Sequence, residues 1–371
     1  LVTLIQATKL VRLPIVQGPS AAFDSLMITV GKANGLAQAG GGILFSAIII
    51  FLLSVTGVIS RLKSLFTPAI SGTVILIVGV ALSGFTFYEF LGGSPGMPGF
   101  ASPTTLMMSI PTALIVILLS TLGKGKWRSF AFLIALIVGD VLAVILGQTD
   151  FSKIAEKSWF GLPHFFPYGV LQFHFDTFVM FFVAYIVAII EAMGVYQAGA
   201  EMTGVDLSDR RIRNGFAGEA VGSMVASVIG GFPTTAYGQN VGLLRLTGVA
   251  SRFPVIIAGI IFLILGFVPK AGAVLALTPD AVVGGLFLPA SASLIFTGIS
   301  ILSKMKMTDA NLMISGLSLV MAIALPSAFS GYKGILGTFL SNSVLVGTLT
   351  AIVLHVILIA LPGWFGRKDI A

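Results

Sequence analysis

The 371-residue chain contains no cysteine and only three histidines. Without cysteine there is no disulfide, no thiolate metal site and no cysteine nucleophile, and the compartment stays open. His164, His174 and His355 are scattered and show no metal-ligand spacing. The lone GKGK at 123–126 lacks the P-loop pattern and belongs to a basic loop. Nothing assembles a nucleophile, base and metal set, so the chain is read as neither an enzyme nor a holder of a cofactor or metal. Charge is also scarce: 9% of residues are Asp, Glu, Lys or Arg. A soluble domain carries about 25%. The formal charge of +7 sets membrane topology through basic loops, and nucleic acid is not expected as a partner.

What is present is hydrophobic, 56% of residues with a mean hydropathy of +1.05. Apolar runs recur near the roughly 20 residues needed to cross a hydrocarbon core. They fall at 43–60, 69–86, 105–122, 129–147, 177–198, 253–269, 282–303, 309–326 and 336–361. Two shorter apolar pieces lie at 215–231 and 235–247. This is an all-α polytopic membrane protein. Its basic loops carry Arg61 and Lys63, then Lys124, Lys126 and Arg128, then Arg210, Arg211 and Arg213. Lys304, Lys306, Arg367 and Lys368 fall on the same side if each span crosses once, which makes that side cytoplasmic. Loop 148–176, with SWFGLPHFFPYG, is extracytoplasmic and interfacial by its aromatic content.

The chain repeats itself. FTPAISGTVILIVGVALS (66–83) resembles LTPDAVVGGLFLPASASL (277–294), and RLPIVQGPSAAF (12–23) resembles GFPTTAYGQNVG (231–242). Both pairs occur in the same order at nearly the same spacing. Proline- and glycine-interrupted segments in corresponding halves are the mark of a transporter, and they point to its solute site. Non-helical backbone at membrane depth persists only where protein buries it or a polar cavity receives it. The repeat also implies that the first one to two helices are absent from this chain, residues 1–12 being the tail of the second.

Some polar residues must be explained. Glu191, in AYIVAIIEAMGVYQAG, is a carboxyl inside an apolar span, which reads first as a solute contact or proton site. The bland alternative is a neutral side chain capping a neighbouring backbone. Glu219 is either a buried coupling residue or a surface partner of the nearby arginines. Asp140, in IVGDVLAV, is as well explained by helix packing as by function. Gln239 and Asn240 each both donate and accept hydrogen bonds. A Gln amide suits the C=O/N–H edge of a planar heterocycle, whereas Asn240 is better suited to holding the irregular backbone. Gly238 and Gly242 allow unusual backbone and close ligand approach. Phe23 is placed to stack on a ring, although such a Phe is more often packing.

TTAYGQNVGLLRLTGVASR (234–252) resembles the signature of the nucleobase–ascorbate transporter family, with Gln239-Asn240-Val241-Gly242 and Thr247. EAMGVYQA from Glu191 is similar to the family's Glu-containing eighth-helix motif, Glu219 falls where members carry a ninth-helix carboxylate, and LPIVQGPSAAF looks like the third-helix strand segment. The resemblance implies two inverted seven-helix repeats forming a core and a gate, with strand or broken-helix segments near 13–22 and 233–240 at the substrate site. Core would comprise 1–60 and 177–275, and gate 61–176 and 276–371. It implies a homodimer in the cytoplasmic membrane, importing a nucleobase by elevator motion with H⁺ or Na⁺. Glu191, Gln239, Gly238, Asn240, Ala21 and Phe23 would contact the base, while Glu191 and Glu219 would couple the cation. Gln at the first signature position goes with xanthine and urate carriers, and Glu with uracil carriers. Val195 departs from the family's Asp in purine carriers, and Ala21 from a frequent Phe. The expectation is a xanthine or uric acid carrier with proton symport. The alternatives are a uracil carrier of the same family and, more remotely, an anion carrier or channel on the related fold.

Overall fold

Short irregular segments interrupt otherwise continuous helices in the computed structural model, which describes residues 1–23, 26–27, 30–31, 34–61, 67–237, 240, 251–329, 331–332 and 335–364. Helix α1 (Val2–Thr8) runs into strand β1 (Gln17–Pro19) and a 3₁₀ turn, Ala21–Phe23. Then come α2 (Leu36–Val55), α3 (Pro68–Phe90), α4 (Pro103–Thr121) and α5 (Ala131–Ile145). The second half holds α6 (Phe175–Thr203), α7 (Asp209–Val228), β2 (Thr234–Ala236) and α8 (Phe253–Leu265). It continues with α9 (Pro269–Leu275), α10 (Asp280–Leu302), α11 (Asp309–Phe329), α12 (Ile335–Leu340) and α13 (Ser343–His355). Among the described residues seven helices are long and apolar enough to span a membrane, or eight if α8 and α9, bent by 106°, count as one.

The element order α1, β1, α2, α3, α4, α5 recurs as α7, β2, α8, α10, α11, α13. Two corresponding contacts show that the halves are inverted. β1 pairs with β2 antiparallel, Gln17 opposite Ala236 and Pro19 opposite Thr234. α3 packs along its counterpart α10 antiparallel as well, Gly72 against Leu302, Gly79 against Ile295 and Gly284 against Phe90. The fold is thus that of the 7+7 inverted-repeat transporters.

Local chemistry sets the helix ends. Thr67 and Ser102 cap α3 and α4 with side-chain oxygens, each followed by proline at the first helical position, where a missing N–H costs nothing. Some boundaries differ from those expected. The piece at 215–231 is part of a full 20-residue helix, because Ser208-Asp209 opens α7 earlier and the polar first turns carry no hydropathy signal. The span at 336–361 is broken, since Asn342 accepts from Val344 N and Leu345 N and starts α13 afresh. α13 then widens into a π-turn, Val356–Ala360. Of the piece at 235–247, only Thr235–Tyr237 and Asn240 lie among the described residues.

Packing centres on α6, whose residues Val187–Tyr196 are buried on every side. It touches α2, β2, the 3₁₀ turn and α3. α10 lies against α3, α4 and α5, while α11 and α13 pair with one another and with α3. The aromatic stretch 159–168 straps the ends of α7 and α8. Phe166 N donates to Val228 O (2.7 Å), Gly161 N donates to Phe267 O (3.0 Å), and Lys270 lies over the Trp159 ring at 4.8 Å.

Candidate functional site

The strand pair lies where prolines forbid helix. Pro14 and Pro19 bracket β1, and Pro233 precedes β2. A strand freed from helical bonding at membrane depth must find partners elsewhere. Each segment finds them on the other. Ser20 N donates to Pro233 O (3.0 Å) and Tyr237 N to Val16 O (3.0 Å), extending the ladder at both ends. Thr3 on α1 closes the near side, its hydroxyl donating to Gln17 O (3.0 Å) and accepting from Gln17 N (3.1 Å). Ser223 on α7 does likewise for β2, accepting from Thr234 N (2.9 Å) while donating to Glu219 O (3.0 Å). Gly18 permits the closest approach: any Cβ there would run into the Tyr237 ring, within 2.7 Å of Cε2.

Behind the strands runs a polar chain. Tyr196 Oη on α6 donates to Glu219 Oε1 on α7 (2.5 Å), and Gln17 Nε2 on β1 donates to Tyr196 Oη (3.3 Å). Glu219 is 3% exposed and Tyr196 is fully buried. Glu219 is therefore no surface partner of the arginines: burial and the phenol of Tyr196 overturn that alternative. Glu191 on α6 is 7% exposed and within electrostatic reach of Glu219.

The site residues expected from the sequence divide into three groups. Glu191 and Glu219 come together beside the strand pair. Asn240 and Phe23 are engaged structurally: Asn240 Nδ2 donates to Pro14 O (2.6 Å), bracing the two segments. The Phe23 ring is fully buried, stacked on Phe181 at 6.0 Å and edge-on to Tyr185 at 5.1 Å. Ala21 opens the 3₁₀ turn that Phe23 N closes on Ser20 O (3.1 Å). Gly238 and Gln239, with Gly242 and Thr247, lie outside the described residues. Asp140 stands apart on α5, accepting from Thr278 Oγ1 (3.2 Å), a tie across the α5–α10 packing.

Sequence reasoning passed over Gln17, Tyr196, Thr3 and Ser223. Each is a lone hydrogen-bonding side chain in apolar context, a signal shared by many packing residues. Only the inverted pairing of segments far apart in the chain gathers them.

The chain matches a permease family (xanthine/uracil permease type) over residues 1–331. It is 32% identical over 347 residues to the uric acid permease PucK of Bacillus subtilis, covering 92% of this chain and 80% of the relative. The xanthine permease of the same organism is 28% identical over 349 residues, covering 93% of this chain and 79% of that protein. The transmembrane domain of the cyanobacterium bicarbonate transporter BicA superposes with a TM-score of 0.59 over 96% of this chain and 87% of that one, at 16% identity. At that identity the likeness is one of fold alone.

Proposed function

The chain belongs to the xanthine/uracil permease family, and from that premise we propose that this nucleobase permease imports xanthine or uric acid across the cytoplasmic membrane together with a proton. The observation that carries this reading is the buried chain Gln17–Tyr196–Glu219 beside Glu191. It ties a carboxyl that can hold a proton to the strand pair that would cradle the base. Glu191 and Gln239 grip the base edge, Gly238 and the Ala21–Phe23 turn contribute backbone, and Asn240 holds the two segments in register. Purine relatives, uric acid and xanthine permeases among them, support this substrate class over uracil.

In this reading 1–60 and 177–275 form a core that moves against a gate of 61–176 and 276–371, in a homodimer. The glycine seam of α3 on α10 supports a rigid gate. The approach of α6 to α3 at small residues, Gly194 beside Ile75 and Ser71, supports a surface along which the core slides.

The test is uptake of labelled xanthine and uric acid by cells expressing the protein, with unlabelled bases as competitors. Saturable uptake, abolished by a protonophore and indifferent to sodium, is the expected result. Stronger competition by uracil than by either purine would move the assignment to a uracil carrier. A strict sodium requirement would overturn proton coupling, and conductance without saturation would mean a channel.

A further inference from the structure

On the side opposite the basic loops, one long segment leads from the end of α5 at Ile145 to the start of α6 at Phe175. Chain order puts it with the gate, but its contacts lie on the core. Among the described residues, each backbone hydrogen bond that leaves 151–173 for another element ends on core residues. Gly161 N donates to Phe267 O just after α8 (3.0 Å), Phe166 N to Val228 O in the last turn of α7 (2.7 Å), and Gln172 N to Ala37 O in the first turn of α2 (3.3 Å). Side chains follow the same course. Phe160 stacks on Phe267 at 6.2 Å, Trp159 lies under Lys270 of α9, and Phe173 meets Phe45 of α2 edge-on at 4.8 Å. The turn Ser152–Ala155 touches α9.

Glycines show how closely the segment is seated. A Cβ at Gly41 of α2 would collide with the Gln172 carbonyl, and one at Gly230, on the way from α7 to β2, with the Pro167 ring. The links back to the gate are short by comparison. The backbone of α5 reaches as far as Gln148, whose N donates to Ala143 O (2.8 Å). Asp150 already turns towards the segment, its Oδ1 accepting from Ser152 N (3.0 Å) and Ser152 Oγ (2.6 Å). The other link on this side, 276–279, runs from α9 to α10. It is fastened to the gate where Thr278 Oγ1 donates to Asp140 Oδ2 on α5 (3.2 Å).

From these contacts we propose that 151–173 is a strap that travels with the core, and that core and gate are jointed on this side by two short links, 148–150 and 276–279, both anchored on α5. The inference rests on the core-and-gate reading above and moves its boundary from 177 to 151. A body that moves as one keeps its packed contacts, and a hinge falls on the few residues that few contacts cross. Sliding the strap over α2, α7 and α8 would break hydrogen bonds and ring stacking in every cycle, whereas turning two short links breaks neither. The strap also has a use in the core. The chain reaches β1 and β2 through irregular backbone, and binding the ends of α2, α7 and α8 together holds the strand pair in shape while it moves.

The absence of cysteine makes the test direct, since introduced thiols have no competitors in the chain. Phe166→Cys with Val228→Cys ties strap to core by a disulfide. Phe160→Cys with Phe267→Cys, bridged by a short bifunctional thiol reagent, ties it at a second point and serves if the first pair fails to insert. Ser71→Cys with Gly194→Cys is the control that ties gate to core. An added Cβ at Gly194 lies 3.6 Å from Ser71 Cβ, within the about 3.5–4.5 Å that a disulfide spans. Purine uptake is measured in cells for each pair before linking, after linking and after reduction, with bond formation read from the loss of free thiols. The strap-to-core pairs should transport when linked as they do when reduced, while the linked control should lose uptake and regain it on reduction. If linking strap to core stops uptake as the control does, the strap belongs to the gate and the inference fails, while the core-and-gate reading stands. If the inserted strap pairs cannot be linked, the contacts are not made and the inference fails in the same way. A linked control that still transports overturns the core-and-gate reading itself, and the inference with it.

Discussion

A phenol held between a carboxyl and an amide governs Glu219. Tyr196 is buried, and its hydroxyl both donates to Glu219 and accepts from Gln17. Tyr196→Phe keeps the shape but strands two buried partners, at a cost of about 1–3 kcal/mol. The midpoint of the purified protein should fall by a few degrees; an unchanged midpoint would show that the polar chain is not formed. Glu219→Gln separates structure from proton chemistry, because the amide oxygen can still accept from Tyr196 but the group no longer exchanges a proton. The variant should insert normally and bind labelled purine, yet fail to concentrate it inside cells as the outside is acidified. Accumulation equal to the parent would remove Glu219 from coupling. Glu191→Gln is expected to lose uptake altogether, read as initial rate at saturating purine.

Between elements, glycines decide how closely helices approach. A Cβ added at Gly79 would lie 2.7 Å from Ile295 N, and one at Gly298 would lie 2.6 Å from Leu76 N. Those neighbours are backbone and cannot step aside, so Gly79→Ala and Gly298→Ala must push α3 and α10 apart, at about 1–3 kcal/mol each. Gly84, on the same helix as Gly79, has nothing within 4 Å of its added Cβ. Gly84→Ala should leave the midpoint level or raise it, since alanine is favoured over glycine in a helix by about 1 kcal/mol. The contrast is checked by thermal melts of the three variants side by side. Equal effects would mean that α3 and α10 do not meet at this seam. Asn342 acts at another element boundary, where two backbone donors at 3.0 Å rely on one side-chain oxygen. Removing such a cap by Asn342→Ala costs about 1 kcal/mol.

Across the whole molecule, the ion pair between Lys304 and Glu201 joins the end of α10 to the end of α6. Their side chains are 48% and 64% exposed, so the pair contributes about 0–1 kcal/mol to stability and weakens with salt. If α6 and α10 belong to bodies that move against one another, the pair should bias a conformational balance far more than it affects folding. Glu201→Gln is expected to leave the melting midpoint within a degree or two while changing the maximal uptake rate. The purine concentration for half-maximal uptake in the parent should respond to added salt in the same direction. A variant that melts like the parent and transports like it would show that the bridge does not bear on the motion.

Hydropathy and repetition carried much of this into view from the sequence alone. Apolar runs of membrane length need no tertiary information, because bilayer thickness is fixed and every backbone group must be paired within it. The proline-bearing pairs around Pro14 and Pro233 likewise announced two related halves with irregular segments at corresponding places, since proline refuses the interior of a helix wherever it falls. The burial of Glu191 was legible too, because it sits in an unbroken apolar run. What hydropathy could not decide was any property set by partners distant in the chain. Glu219 read equally well as a surface residue until Tyr196 and Gln17 enclosed it. That Asn240 suits holding irregular backbone was legible, but not that its partner is Pro14 O, and Asn342 was hidden inside an apolar stretch that it divides. Hydropathy sums along the chain, whereas a hydrogen bond depends on which atoms an inverted fold brings within 3 Å, and that only the tertiary structure decides.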